Sequence, residues 1–144
     1  MQDLWPSEIK ESGVNSPVAI LREQSRKLAE KTGNRISADV RHVGKAELED
    51  VPEEMSPGSF RYEFILSSPQ LKGFHFTLFR ILHDASLYPV FIYPHDEAKA
   101  EVWPNVPGAV LADGEKDFLE VVQKIFRSEA TTKILSAVLA QVEK

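Results

Sequence analysis

FRYEFILSSPQLKGFHFTLFRILHDASLYPVFIY, residues 60–93, decides the fold. Phe60, Tyr62, Phe64 and Leu66 alternate with Arg61, Glu63, Ile65 and Ser67, the period of two that sends successive side chains to opposite faces of a strand. Pro69 and Gly73 interrupt the run, because proline donates no ladder hydrogen bond and glycine tolerates turn angles. The next run sets Phe74, Phe76, Leu78, Arg80 and Leu82 on one face and His75, Thr77, Phe79, Ile81 and His83 on the other. So short a connection predicts antiparallel pairing. A turn near Asp84–Ser86 leads to a third strand, Tyr88–Tyr93, with Pro89 suited to its start or to a sheet edge. On strict alternation Phe79 and Ile81 point away from Phe74 and Phe76, so both faces carry apolar residues. Either helices cover both faces or one meets a partner, since a broad exposed apolar patch is unusual on a monomer.

Toward the N-terminus, residues 1–15 are weakly patterned and read as a loose segment, with Leu4, Trp5 and Pro6 as a short hook. Ser16 is a good N-cap and Pro17 fits the first helical position, where a missing N–H costs nothing. Val18, Leu21, Ser25, Leu28 and Thr32 then form a narrow stripe at helical spacing, with Ile20 and Ala29 beside it. Gly33-Asn34 ends the helix. Its basic tract, Arg22, Arg26, Lys27 and Lys31, reads as a solvated face, with an anion-binding surface as the sharper alternative. Residues 35–43 alternate again, Ile36, Ala38, Val40 and His42 sharing a face. Gly44–Ser59 is a long acidic loop holding Glu47, Glu49, Asp50, Glu53 and Glu54, without the spacing of a calcium loop.

Beyond Tyr93, Pro94–Glu97 reads as a turn, Lys99–Trp103 as a short strand, and Ala109–Ala112 as a small strand or buried connection. Asp113 is placed to cap a helix with Phe118, Val121, Val122, Ile125 and Phe126 on its apolar face. Ser128 or Thr131 caps another, striped by Ile134, Leu135, Val138, Leu139 and Val142. The expected architecture is α+β: an N-terminal helix, a four- to five-stranded, mainly antiparallel sheet, and two C-terminal helices packed on it. Residues 16–144 form one expected domain.

The 144 residues contain no cysteine and carry a net charge of −5. The first removes disulfide and thiol chemistry; the second, without a basic cluster, argues against a nucleic-acid partner. No signal pattern or membrane-length apolar run is seen, so a cytoplasmic protein is expected. Phosphate-loop, dinucleotide and nucleophile-elbow motifs are absent. The pairs His83-Asp84 and His95-Asp96 read as turn residues at opposite ends of a strand, and no metal or cofactor is expected.

The order of elements and the acidic balance are similar in layout to small bacterial secretion chaperones and toxin-immunity proteins. The second apolar sheet face, the acidic loop and the lack of catalytic motifs point to a non-enzymatic protein-binding module, of adaptor, chaperone-like or immunity type. Its expected partner is another protein, a homodimer mate included, and not a membrane. Its expected partner-binding residues are Phe79, Ile81, Tyr88, Tyr93 and Trp103, with Glu49, Asp50, Glu53 and Glu54 of the acidic loop. A small enzyme or small-molecule binder is the alternative, its pocket between sheet and helices using Arg61, Glu63 and His75 as polar groups. A structural subunit of a larger assembly is the third reading.

Overall fold

The computed structural model describes residues 1–43 and 59–142. Glu49, Asp50, Glu53 and Glu54, expected as an acidic contact surface, lie outside the described residues. Five strands, β1 (Ser37–His42), β2 (Phe60–Ser67), β3 (His75–His83), β4 (Val90–Pro94) and β5 (Val110–Ala112), pair in the order β1-β2-β3-β4-β5. Every pairing is antiparallel. Helix α1 (Pro17–Lys31) precedes the sheet, α2 (Asp96–Val102) joins β4 to β5, and α3 (Glu115–Phe126) and α4 (Glu129–Gln141) follow. This is an α+β fold with the expected N-terminal helix, antiparallel sheet and two C-terminal helices.

The core is a single layer of side chains between the sheet and the helices. Ala38, Phe64, Leu66, Phe79, Ile81, Val90, Ile92, Val110 and Ala112 pack against Ile20 and Leu21 of α1, Phe118, Val122 and Ile125 of α3, and Val138 of α4. Polar positions on the inner side of α1 are absorbed by backbone. Ser25 donates to the Ala38 carbonyl, and Thr32 accepts the Ile36 N–H at 3.1 Å. A buried hydroxyl is tolerated only when bonded in this way.

A bulge in β3 corrects the expected faces. Phe64 pairs with Phe79 but Ile65 pairs with Thr77, so Leu78 is the extra residue. An inserted residue reverses the alternation beyond it. Phe79 and Ile81 therefore join Phe76 on the helix-covered side and are 1% and 0% exposed, so they do not form a second, outward apolar face. The opposite face carries Ile65, Leu82, Phe91 and Leu111, placed there by the register of the pairs Arg61–Leu82, Leu82–Phe91 and Phe91–Leu111, and Leu82 on it is 0% exposed.

Two local expectations are also revised. Residues 96–102 form α2 rather than a turn followed by a strand. Asp96 and Glu97 occupy its first turn, where carboxylates favour the positive end of a helix. The N-cap of α3 is Gly114, not Asp113. Ser128 caps α4, its hydroxyl accepting the Thr131 N–H at 3.1 Å. The two helices then lock together: Glu101 of α2 accepts the Glu129 and Ala130 N–H groups at 2.8 and 2.9 Å, satisfying donors that the first turn of α4 leaves free.

Candidate binding groove

Between α1 and α3 an opening runs over the sheet, its accessible apolar surface coming from Leu28, Leu119, Phe126 and Leu135. The opening is a cavity of about 510 Å³ with Phe64, Leu66 and Leu78 at its base, themselves 1%, 0% and 2% exposed. Ile20 and Leu28 form one wall and Leu119, Val122 and Phe126 the other, with Leu135 of α4 at one side. The Phe126 ring lies 5.4 Å from Phe64 and 6.0 Å from Phe79, closing the floor with aromatic surface. The volume falls in the ordinary range of ligand sites, roughly 300–1,000 Å³.

The rim has the opposite character. Lys27 and Lys31 of α1, Lys116 of α3 and Arg127 just beyond it surround the floor, with Glu120 as the acid among the lining residues. All four cations are exposed, and none has a salt-bridge partner among the described residues. Arg26, one residue from Lys27 in sequence, faces elsewhere and is bracketed by Glu23 and Glu30. A chain of net charge −5 thus gathers four cations around an apolar trough. The basic tract of α1 held part of this signal. Lys27 and Lys31 are four residues apart, on one side of the helix, and Leu28 lies between them. The contribution of Lys116 and Arg127, about ninety residues on, was invisible without the fold.

The expected polar pocket is not assembled. Glu63 is 3% exposed on the sheet face opposite the helices and bound from both sides. Arg41 Nε donates to one of its oxygens at 2.8 Å and Arg80 Nε to the other at 3.0 Å. Such a carboxylate is an ion-pair bridge across three strands rather than a free base. Arg61 shares this face and is buried, its Nε without a hydrogen-bond partner. His75, paired with Ser67, is exposed four residues along β2 from Glu63, about 13 Å away at strand spacing.

The expected aromatic contacts are scattered too. Tyr88 donates to the Asn15 carbonyl at 2.9 Å and meets Phe118 edge-on, and burial with the nearby Glu115 carboxylate pushes its hydroxyl up to about 12. Tyr93 pairs with Arg80 in the sheet, and half-buried Trp103 ends α2. Among the described residues no three His, Asp or Glu side chains converge as metal ligands do. No described helix is long and apolar enough to cross a membrane. Compared with known protein families, curated proteins and solved structures, the chain has no match.

Proposed function

We propose that this protein is a non-enzymatic protein-binding module that receives, in the groove between α1 and α3, an amphipathic segment of another protein with acidic flanks. The observation that carries the reading is the accessible apolar surface of Leu28, Leu119, Phe126 and Leu135 ringed by Lys27, Lys31, Lys116 and Arg127. Helix-in-groove recognition works in this way: an apolar stripe fills the trough, and charges at its edges set orientation and encounter rate. From Ile20 to Lys31 the groove follows α1 for about 17 Å, three helical turns of a bound segment.

The same chemistry favours a second reading, that of a small-molecule binder. A long-chain carboxylate also presents an apolar body and one anionic end to a cavity of about 510 Å³. One titration separates the two. Full-length protein is mixed with a fluorescent helical peptide bearing leucine at alternating spacings of three and four and glutamate at its flanks, and separately with a long-chain carboxylate. Saturable peptide binding, weakened about tenfold by Lys27→Glu with Lys116→Glu and by added salt, is expected. Binding of the carboxylate alone would establish the second reading, and binding of neither would reject the groove as a site.

A further inference from the structure

The chain carries its own match for the groove. Residues 3–11, Asp-Leu-Trp-Pro-Ser-Glu-Ile-Lys-Glu, form no helix or strand, and they hold Leu4, Trp5 and Ile9 at 84%, 75% and 75% exposure. These three are among the most exposed large apolar side chains described. Around them stand three carboxylates, Asp3, Glu8 and Glu11, against one ammonium, Lys10, which pairs with Glu8 at 3.7 Å. The groove offers the complement: four cations against the one carboxylate of Glu120, around accessible apolar side chains.

The root of the segment is fixed at one end of the groove. The Asn15 N–H donates to Glu115 at 2.7 Å and its side-chain amide donates to the same carboxylate at 3.2 Å, while Tyr88 holds its carbonyl. Asn15 therefore sits where α1 and α3 both begin, close to Ile20 and Lys116 of the lining. Ten residues separate Asn15 from Trp5, a reach of about 33 Å when extended. The groove needs only about half of that length.

We infer that residues 3–11 fold back over the groove of their own chain. Leu4, Trp5 and Ile9 then cover the accessible side chains of Leu28, Leu119, Phe126 and Leu135, and Asp3, Glu8 and Glu11 meet Lys27, Lys31, Lys116 and Arg127. This inference rests on the groove being a binding site, and it adds that the site is gated in cis. The tether holds the segment at an effective concentration on the order of millimolar, so weak contacts suffice to occupy the site, and an outside partner has to displace it. If the segment covers the groove nine-tenths of the time, its removal tightens partner binding about tenfold.

The test labels both tryptophans of the full-length protein with 5-fluorotryptophan and assigns the Trp5 resonance with Trp5→Phe. Solvent protection of Trp5 is then measured against protein concentration, salt, and the paired substitutions Lys27→Glu and Lys31→Glu. Trp103 is the internal control for folding. Protection of Trp5 that is independent of concentration and lost in the charge-reversed variant is the expected result. A Trp5 as accessible as in a free peptide of residues 1–15 overturns the inference. So does protection that grows with concentration, which assigns the contact to a second copy, or protection indifferent to Lys27 and Lys31. The acidic leucine peptide, titrated into wild type and Trp5→Ser, separates the two proposals. Equal binding to both sinks the gate and keeps the groove, whereas a docked Trp5 with no peptide binding to either variant keeps the cis contact and sinks the partner.

Discussion

Phe64 and Phe79 lie face to face across β2 and β3, their ring centroids 5.3 Å apart and their planes within 5°. The pair exists because Leu78 is bulged out of the alternation. Phe79→Ala is expected to cost about 3–5 kcal/mol, the usual toll for deleting a buried phenylalanine ring. Phe91→Ala, half-buried on the face opposite the helices, should cost less than about 2 kcal/mol. Urea midpoints at unchanged m-value measure both. Equal losses would mean that the bulge does not turn Phe79 inward.

Glu101 is the joint between α2 and α4. Glu101→Ala leaves the Glu129 and Ala130 N–H groups to water at an exposed helix end. A loss of about 1–2 kcal/mol is expected, as for a removed N-cap. Hydrogen exchange should quicken first in the opening turn of α4. Protection there equal to wild type would count against the joint.

Glu63 binds two arginines that are themselves about half exposed, with side-chain exposures of 56% for Arg41 and 43% for Arg80. When Glu63 is replaced by Ala, water can take up both guanidiniums. The expected cost is about 1–3 kcal/mol, below the 3–5 kcal/mol of a fully buried broken pair. Secondary structure should persist, and a double-mutant cycle with Arg80→Met should show a coupling that shrinks with salt.

Two histidines set the acid side of the stability profile. Burial lowers the pKa of His83 from the ordinary 6.5, against the partial offset of its bond to the Asp84 carbonyl and the Asp84 charge. Burial lowers that of His95 likewise, against the pull of Glu97, Asp96 and Glu101. A base with a depressed folded pKa binds its proton more readily when unfolded. Stability is therefore full above pH 6.5 and falls as pH drops through 6.5 toward the folded values. Urea midpoints taken from pH 8 to pH 5 should decline, and His83→Leu should flatten the decline. A flat wild-type profile would show that both rings are free to charge in the fold.

What was legible in the sequence was what local physics decides. Ser16-Pro17 and Gly33-Asn34 bracket α1 because capping needs only neighbouring residues, and Phe60–Ser67 alternates because Tyr62, Phe64 and Leu66 share the face that packs on the core. Two things escaped. A bulge is a relation between two strands, so Leu78 looks like any other alternating residue until its partners are known. Helix α2 is short and carries one buried side chain, Ala98, so it shows no apolar stripe to read. The groove escaped for a related reason: its floor comes from β2 and β3, and its rim joins Lys27 and Lys31 to residues far along the chain.

In the β1-β2-β3-β4-β5 order each strand pairs with the one made just before it. During synthesis the sheet can grow one hairpin at a time, with no strand waiting for a distant mate, which favours quick assembly. The lid over that sheet comes last, because α3 and α4 are the final elements described. Until they leave the ribosome, Phe64, Phe79, Ile81 and Ile92 face water on a formed or forming sheet. A chain truncated after Gly114 would thus expose the sheet face that α3 and α4 cover, and it is there that a chaperone would find most to hold.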